Sequence, residues 1–251
     1  MFRPRIIPVL LLKNRGLVKS VQFNSYKYVG DPINAVRIFN ELKADELMFL
    51  DVEASKQRRL ISLEFVRNVG EEASMPFGVG GGISSIADIK EIIGAGAEKV
   101  VINTTALEDP DFITRASDAF GSSTIVVCID VKKTFLKGQR PWGMNGTRAG
   151  KSSPVEFAQL MEKNGAGEII IQSIDRDGTM TGYDIDLIRS VSTSVNIPVV
   201  ALGGAGKMED LADAYKNGRA NGLAAGSLFV YQSIKRGVLI NYPDKNGLRF
   251  A

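Results

Sequence analysis

The second half of this chain repeats the first. Asp31-Pro32-Ile33-Asn34-Ala35 through Ala44-Asp45-Glu46-Leu47 aligns without a gap on Ser153-Pro154-Val155-Glu156-Phe157 through Ala166-Gly167-Glu168-Ile169. Leu50-Asp51 falls similarly on Ile174-Asp175, and Gly80-Gly81-Gly82 on Gly203-Gly204-Ala205 at almost the same offset. A duplicated half of this length calls for a fold with pseudo-twofold symmetry. Apolar runs of strand length, at 5–12, 46–51, 75–80, 99–103, 124–131, 168–174, 198–202 and 222–226, alternate with amphipathic stretches. Those candidate helices are 32–43, 57–73, 85–95, 109–120, 154–164, 184–194, 208–217 and 228–235. Near-continuous apolar strands between helices mean a parallel sheet covered by those helices. Eight such units in 251 residues predict closure into a (β/α)8 TIM barrel with half-barrel internal duplication, its active-site loops following the strand C-termini. No linker or composition break divides the chain, so 1–251 is expected to be a single domain.

Composition removes several functions. The formal charge is +3 and the pI about 8.9, without a dense basic block, which argues against nucleic acid and suits small anionic ligands. There is no histidine, so the commonest general base and the commonest metal ligand are both missing. No metal site and no cofactor are expected. The single Cys128 rules out an internal disulfide framework and fits a reducing compartment. Arg3 and Arg5 precede the apolar run Ile6–Leu12, but Lys13-Asn14-Arg15 interrupts it and no small-residue cleavage site follows. Nothing later approaches about 18 apolar residues. A buried strand and a cytoplasmic protein without membrane contact are therefore expected.

Two stretches carry the first chemical signal. Phe77-Gly78-Val79-Gly80-Gly81-Gly82-Ile83 and Val199-Val200-Ala201-Leu202-Gly203-Gly204-Ala205-Gly206-Lys207 each run from a strand into a glycine cluster and a helix start. Glycine permits a sharp turn and close approach to a ligand, and successive amides at a helix N-terminus hold an anion. Two equivalent loops suggest two phosphate grips; turns alone are the alternative.

Strand alternation gives a second signal at the other end of the barrel. With period two, Arg5 shares inward parity with Leu11, Glu46 with Met48, Lys99 with Val101 and Asn103, and Glu168 with Ile170. Two acids and two bases pointing at the barrel axis can pair completely, and a structural plug is one reading of them.

Several of these motifs together resemble the cyclase subunit of imidazole glycerol phosphate synthase. They are Arg5-Ile6-Ile7, Asp45-Glu46-Leu47, Val79-Gly80-Gly81-Gly82-Ile83, Lys99-Val100-Val101-Ile102-Asn103-Thr104, Ser173-Ile174-Asp175-Arg176-Asp177-Gly178-Thr179 and Gly203-Gly204-Ala205-Gly206-Lys207-Met208. The likeness spans essentially the whole chain. It implies a barrel that partners a glutaminase subunit, whose ammonia travels through the barrel to a bisphosphorylated substrate at the opposite face. It implies that Gly82, Asn103 and Thr104 form one phosphate grip, and Gly178, Gly203, Gly204, Ala225 and Gly226 the other. Where Gly226 stands the family often has serine. Lys19 matches a family lysine thought to contact substrate, and Arg5, Glu46, Lys99 and Glu168 match the family's ammonia gate.

The resemblance breaks at the catalytic pair. The family chemistry resembles acid–base work by two aspartates at the ends of the first and fifth strands. Val127-Cys128-Ile129-Asp130 supplies the second, but Val9-Leu10-Leu11-Leu12-Lys13 puts Leu11 where the first belongs. An isobutyl group cannot transfer a proton, which argues against full cyclase activity. Asp175 and Asp177 are the nearest remaining acids. The segment Lys133–Ser153, with Lys133, Lys137, Arg140, Trp142, Arg148 and Lys151, reads as a basic lid or a solvated hairpin, its Trp142 and Phe135 as loop packing.

Three readings stand. One is an ammonia-using paralogue, similar to cyclase-like proteins associated with amidation of bacterial surface sugars and acting on a phosphorylated acceptor. The second is an authentic histidine-pathway cyclase using Asp130 and a substitute acid. The third is a non-catalytic phosphate-ligand docking module.

Overall fold

A computed structural model describes residues 3–135, 138–232 and 237–243. Lys137 and the end of the last candidate helix lie outside the described residues. The strands are β1 (Arg5–Lys13), β2 (Gly16–Val21), β3 (Asn24–Gly30), β4 (Leu47–Asp51), β5 (Phe77–Gly80), β6 (Lys99–Ile102), β7 (Ile125–Thr134), β8 (Gly138–Gly143), β9 (Arg148–Ala149), β10 (Glu168–Ser173), β11 (Val199–Leu202) and β12 (Gly222–Ala225). The helices are α1 (Pro32–Glu41), α2 (Leu63–Glu72), α3 (Ile86–Gly94), α4 (Thr104–Glu108), α5 (Asp111–Phe120), α6 (Pro154–Lys163), α7 (Ile185–Ser192), α8 (Met208–Lys216) and α9 (Ser227–Val230).

Eight strands run parallel in the order β1-β4-β5-β6-β7-β10-β11-β12, and β12 pairs back onto β1 to close a (β/α)8 barrel. Arg5 lies opposite Gly222 and Ile7 opposite Ala224 at that seam. The duplication is visible in the caps. Asp31 accepts from the Asn34 amide with Pro32 at the first turn of α1, and Ser153 accepts from the Glu156 amide with Pro154 in the same place on α6. It is visible again in β1 and β7, the first strand of each half, which both run past the rim into antiparallel hairpins, β2–β3 and β8–β9.

Parity sorts the apolar residues into two cores. Outward-facing residues such as Ile6, Phe49, Val127 and Ile171 pack with the helices, while Ile7, Val9, Leu11, Met48, Val101, Val126, Cys128, Ile170, Val200 and Ala224 fill the barrel interior. A short strap covers the last seam. After α9 the chain forms a bridge between Tyr231 and Val238 and runs extended to Tyr242, whose hydroxyl donates to the Ile6 carbonyl and accepts from the Asp45 amide. Its ring packs against Phe39 and Phe229.

The structure corrects four element expectations. The stretch 57–62 is not helix; α2 starts after its cap Ser62, and Arg58 has a left-handed φ of 51°. The expected helix at 109–120 is preceded by a separate short helix, α4, and the break falls at Asp109-Pro110, because proline disfavours helix in the residue before it. The helix expected at 228–235 ends at Val230. The loop Asn14–Gly30 is the β2–β3 hairpin, turning at Asn14-Arg15 and Gln22-Phe23, all four with positive φ.

Candidate active site

Strand ends bring part of the expected site together at the C-terminal face. One cleft, with a free volume of about 100 Å³, is lined by Leu11, Gly82, Asn103, Thr104, Cys128, Asp130 and Gln172 and roofed by Phe23, Tyr26 and Asn145. The Tyr26 hydroxyl and the Asn145 amide are hydrogen bonded at 2.9 Å, joining the β2–β3 hairpin to the β8–β9 turn across the cleft. Asn103 donates to the carbonyl oxygens of Cys128 and Trp142, both at 3.0 Å, so its side chain also ties β6 to β7 and β8.

Asp130 sits on the inward face of β7 and is buried. The Cys128 thiol, two residues earlier on the same face, donates to its Oδ1 at 3.3 Å. Burial raises the Asp130 carboxyl to about 7; the thiol works against this and the negative charge of Asp177 adds to it. This acid therefore exchanges its proton near neutrality, as general acid–base work requires. Leu11 faces the same space and is nearly buried, so no carboxylate stands on β1.

A smaller cavity with a free volume of about 10 Å³ adjoins the cleft at Leu11 and Gln172 and holds Lys19, Ser20, Asp177, Gly226 and Ser227. Asp177 accepts from Ser20 Oγ at 3.2 Å and from Gln172 Nε2 at 3.5 Å. Burial lowers the Lys19 ammonium to about 8, with Asp177 acting to raise it. Burial likewise raises Asp177, opposed by Lys19 and by hydrogen bonds from Ser20 and Gln172. Asp175 turns away and accepts from the Lys133 amide at 2.8 Å.

The glycine loops are not all open to ligand. A Cβ on Gly82 would lie 1.8 Å from the Arg59 carbonyl oxygen, and one on Gly204 2.2 Å from that of Gly182, so close chain packing alone requires both glycines. Gly203 abuts Ser173 in the same way, Gly178 abuts Ser20, and Ala225 is buried on β12. The helix starts following the two glycine clusters are also self-satisfied. Asp88 accepts from the Ser84 and Ser85 amides, and Asp210 from those of Gly206 and Lys207. An anion held by these loops must therefore use the glycine segments and the ends of β6 and β12, not the first turns of α3 and α8.

At the N-terminal face the four charges form a closed ring. Arg5 binds both Glu46 and Glu168, and Lys99 reaches Glu46 at 3.0 Å and Glu168 at 2.9 Å. Glu46, one residue ahead of β4, is 2 % exposed and Glu168 is 4 % exposed. Each acid meets both bases, so neither buried carboxylate is left uncompensated.

Sequence reasoning missed Cys128 and Gln172, although both share inward parity with Asp130 and Glu168. It also took Trp142 for packing. Lys132 lies 5.5 Å from the centroid of that ring, and the buried indole N–H has no partner among the described residues. Also among the described residues, no group of three or more His, Cys, Asp or Glu side chains could hold a metal ion, and no helix is long and apolar enough to cross a membrane.

Comparison with known proteins agrees with this architecture. Residues 5–235 match the family model described as histidine biosynthesis protein. The chain is 48% identical over 248 residues to a putative imidazole glycerol phosphate synthase subunit hisF2 of Pseudomonas aeruginosa, covering 99% of both chains. It is 41% identical to a putative subunit HisF of Leptospira interrogans over 98% of this chain and 97% of the relative. To the imidazole glycerol phosphate synthase subunit HisF of Caulobacter vibrioides it is 42% identical, over 94% and 92%. A closed barrel with charges ringed at one end and an acid-bearing cleft at the other, matched along nearly its whole length, belongs to the histidine-biosynthesis protein family, among the HisF-like cyclase subunits of imidazole glycerol phosphate synthase.

Proposed function

We propose that this chain is an ammonia-using barrel subunit that has departed from the histidine-pathway reaction. Ammonia released by a glutaminase partner at the N-terminal face passes the Arg5–Glu46–Lys99–Glu168 ring and the apolar barrel interior. It meets a phosphorylated acceptor, of the kind amidated in surface-sugar synthesis, in the cleft at Asp130. Gly82, Asn103 and Thr104 contact one anionic group of the acceptor; Gly178, Gly203, Gly204, Ala225 and Gly226 surround the other. Asp130 moves the proton that the attacking nitrogen must lose, and no second carboxylate faces it from β1.

The observation that carries this reading is the combination of a complete ring with Leu11 at the strand-one acid position. A channel entrance is retained while half of an acid–base pair is gone. The purified complex should turn over the histidine-pathway substrate at least ~10²-fold more slowly than an ordinary HisF subunit, the usual scale of one acid–base group. Leu11→Asp should recover part of the deficit. Near-normal turnover by the native protein would show instead that Asp177, linked to Asp130 through Gln172 and Cys128, serves as the second acid.

A further inference from the structure

Two glycines of the second grip are seats for the β2–β3 hairpin. A Cβ on Gly178 would lie 2.0 Å from the Ser20 carbonyl oxygen, and a Cβ on Gly226 would lie 2.1 Å from Lys19 Nζ and 3.2 Å from Lys19 Cε. Neither distance is compatible with a side chain at residue 178 or 226 while the hairpin stays where it is. The hairpin is pinned there by the Gln22 amide on the Asp177 carbonyl at 2.9 Å and by Gln22 Nε2 on the Asp175 carbonyl at 2.7 Å.

Lys19 is poorly compensated in this seat. It is 5 % exposed and donates to the Val9 carbonyl at 2.7 Å. An ammonium has three donors, and the nearby Asp177 carboxylate already accepts from Ser20 and Gln172. A buried charge with incomplete partners is costly unless something else supplies acceptors. The cavity it faces runs between Gly226, Ser227 and Leu202, beside the grip glycines.

We propose that Gly226 determines what the second anion grip holds: its missing side chain admits Lys19, giving the grip a fixed cation carried on the hairpin. The ligand class is a phosphate monoester, whose three terminal oxygens supply the acceptors that Lys19 lacks and whose charge balances the ammonium. With free space of about 10 Å³, room for a single water, the hairpin must lift to admit the phosphate and then settle with Lys19 upon it. Phosphate binding and hairpin closure are in this way one event, set by residue 226.

This inference rests on reading the second glycine group as an anion grip, and the test separates the two. The probe is inorganic phosphate, followed by amide shifts at Gly203, Gly204 and Gly226 for one grip and at Gly82 and Thr104 for the other. Lys19→Met and Gly226→Ser should each weaken phosphate at the second grip about tenfold or more, as for loss of a charged hydrogen bond, and leave the first within about twofold. Each should speed tryptic cleavage at Lys27, and the double variant should be no weaker than the worse single, because both remove the same contact. Lys19→Met keeps every glycine, so its loss cannot arise from misfolding at residue 226. Tighter binding in Lys19→Met would make the ammonium a plug and overturn the proposal, as would additive losses or an unaffected Gly226→Ser. Phosphate at the first grip alone in the native protein would overturn this inference only. Phosphate at neither would remove the anion-grip reading itself.

Discussion

Asp130 holds a proton that its unfolded counterpart has already lost. Its carboxyl lies at about 7 in the fold against 3.8 as the ordinary value. Between those two values the folded state binds more protons than the unfolded state, so stability falls as pH rises through that window. Asp130→Asn removes the ionisable group. Its melting temperature should match the native protein's near pH 4 and exceed it by pH 8, by an amount on the order of 2–4 kcal/mol, checked by thermal denaturation across that range. A flat difference would place the carboxyl outside its buried setting. Asp130, Lys19 and Asp177 were legible in the sequence because charge on an apolar strand or in a glycine loop stands out. Cys128 and Gln172 were not, since neutral side chains at inward positions look like ordinary core until their partners are seen. Gly178 was legible as a special residue, but the contact that demands it, with Ser20, comes from a segment more than a hundred positions away.

The barrel strands and most helices were readable because each strand is buried on both faces and so is apolar throughout. The hairpins were not. Their turn residues Arg15, Gln22 and Phe23 adopt left-handed backbone without the Asn-Gly or Asp-Gly pairs that announce such turns, and β3 is mostly exposed and polar. Two predictions belong at this scale. Ser153→Ala removes the side-chain acceptor at the start of α6 and should lower stability by about 1 kcal/mol, read from urea denaturation. Tyr26→Phe removes the hydroxyl that joins the two hairpins over the cleft. Limited proteolysis should then cut the β2–β3 hairpin faster while the unfolding midpoint moves by less than about 1 kcal/mol. A large global loss from Tyr26→Phe would mean that the hairpins are part of the cooperative core.

The molecule as a whole is held by contacts that join opposite ends of the sequence. In the N-terminal ring, Lys99→Met would leave Glu46 and Glu168 with Arg5 as the one remaining base of the four. Breaking a buried pair costs about 3–5 kcal/mol, so the variant should melt well below the native protein. In a complex reconstituted with its glutaminase, glutamine-dependent product should fall far more than product made from free ammonia. Equal losses with both nitrogen sources would reduce the ring to a plug. The seam beside it has a different consequence. Because β1 pairs with β12, and Tyr242 closes over Ile6 and Asp45, one edge of the first strand to leave the ribosome has no neighbour until nearly the last residue is made. For almost the whole time of synthesis that edge is a template for pairing with another nascent chain. The protein's yield in a cell is thus set at the ribosome and by chaperones, and changes that slow translation should lower it even where the finished barrel is untouched.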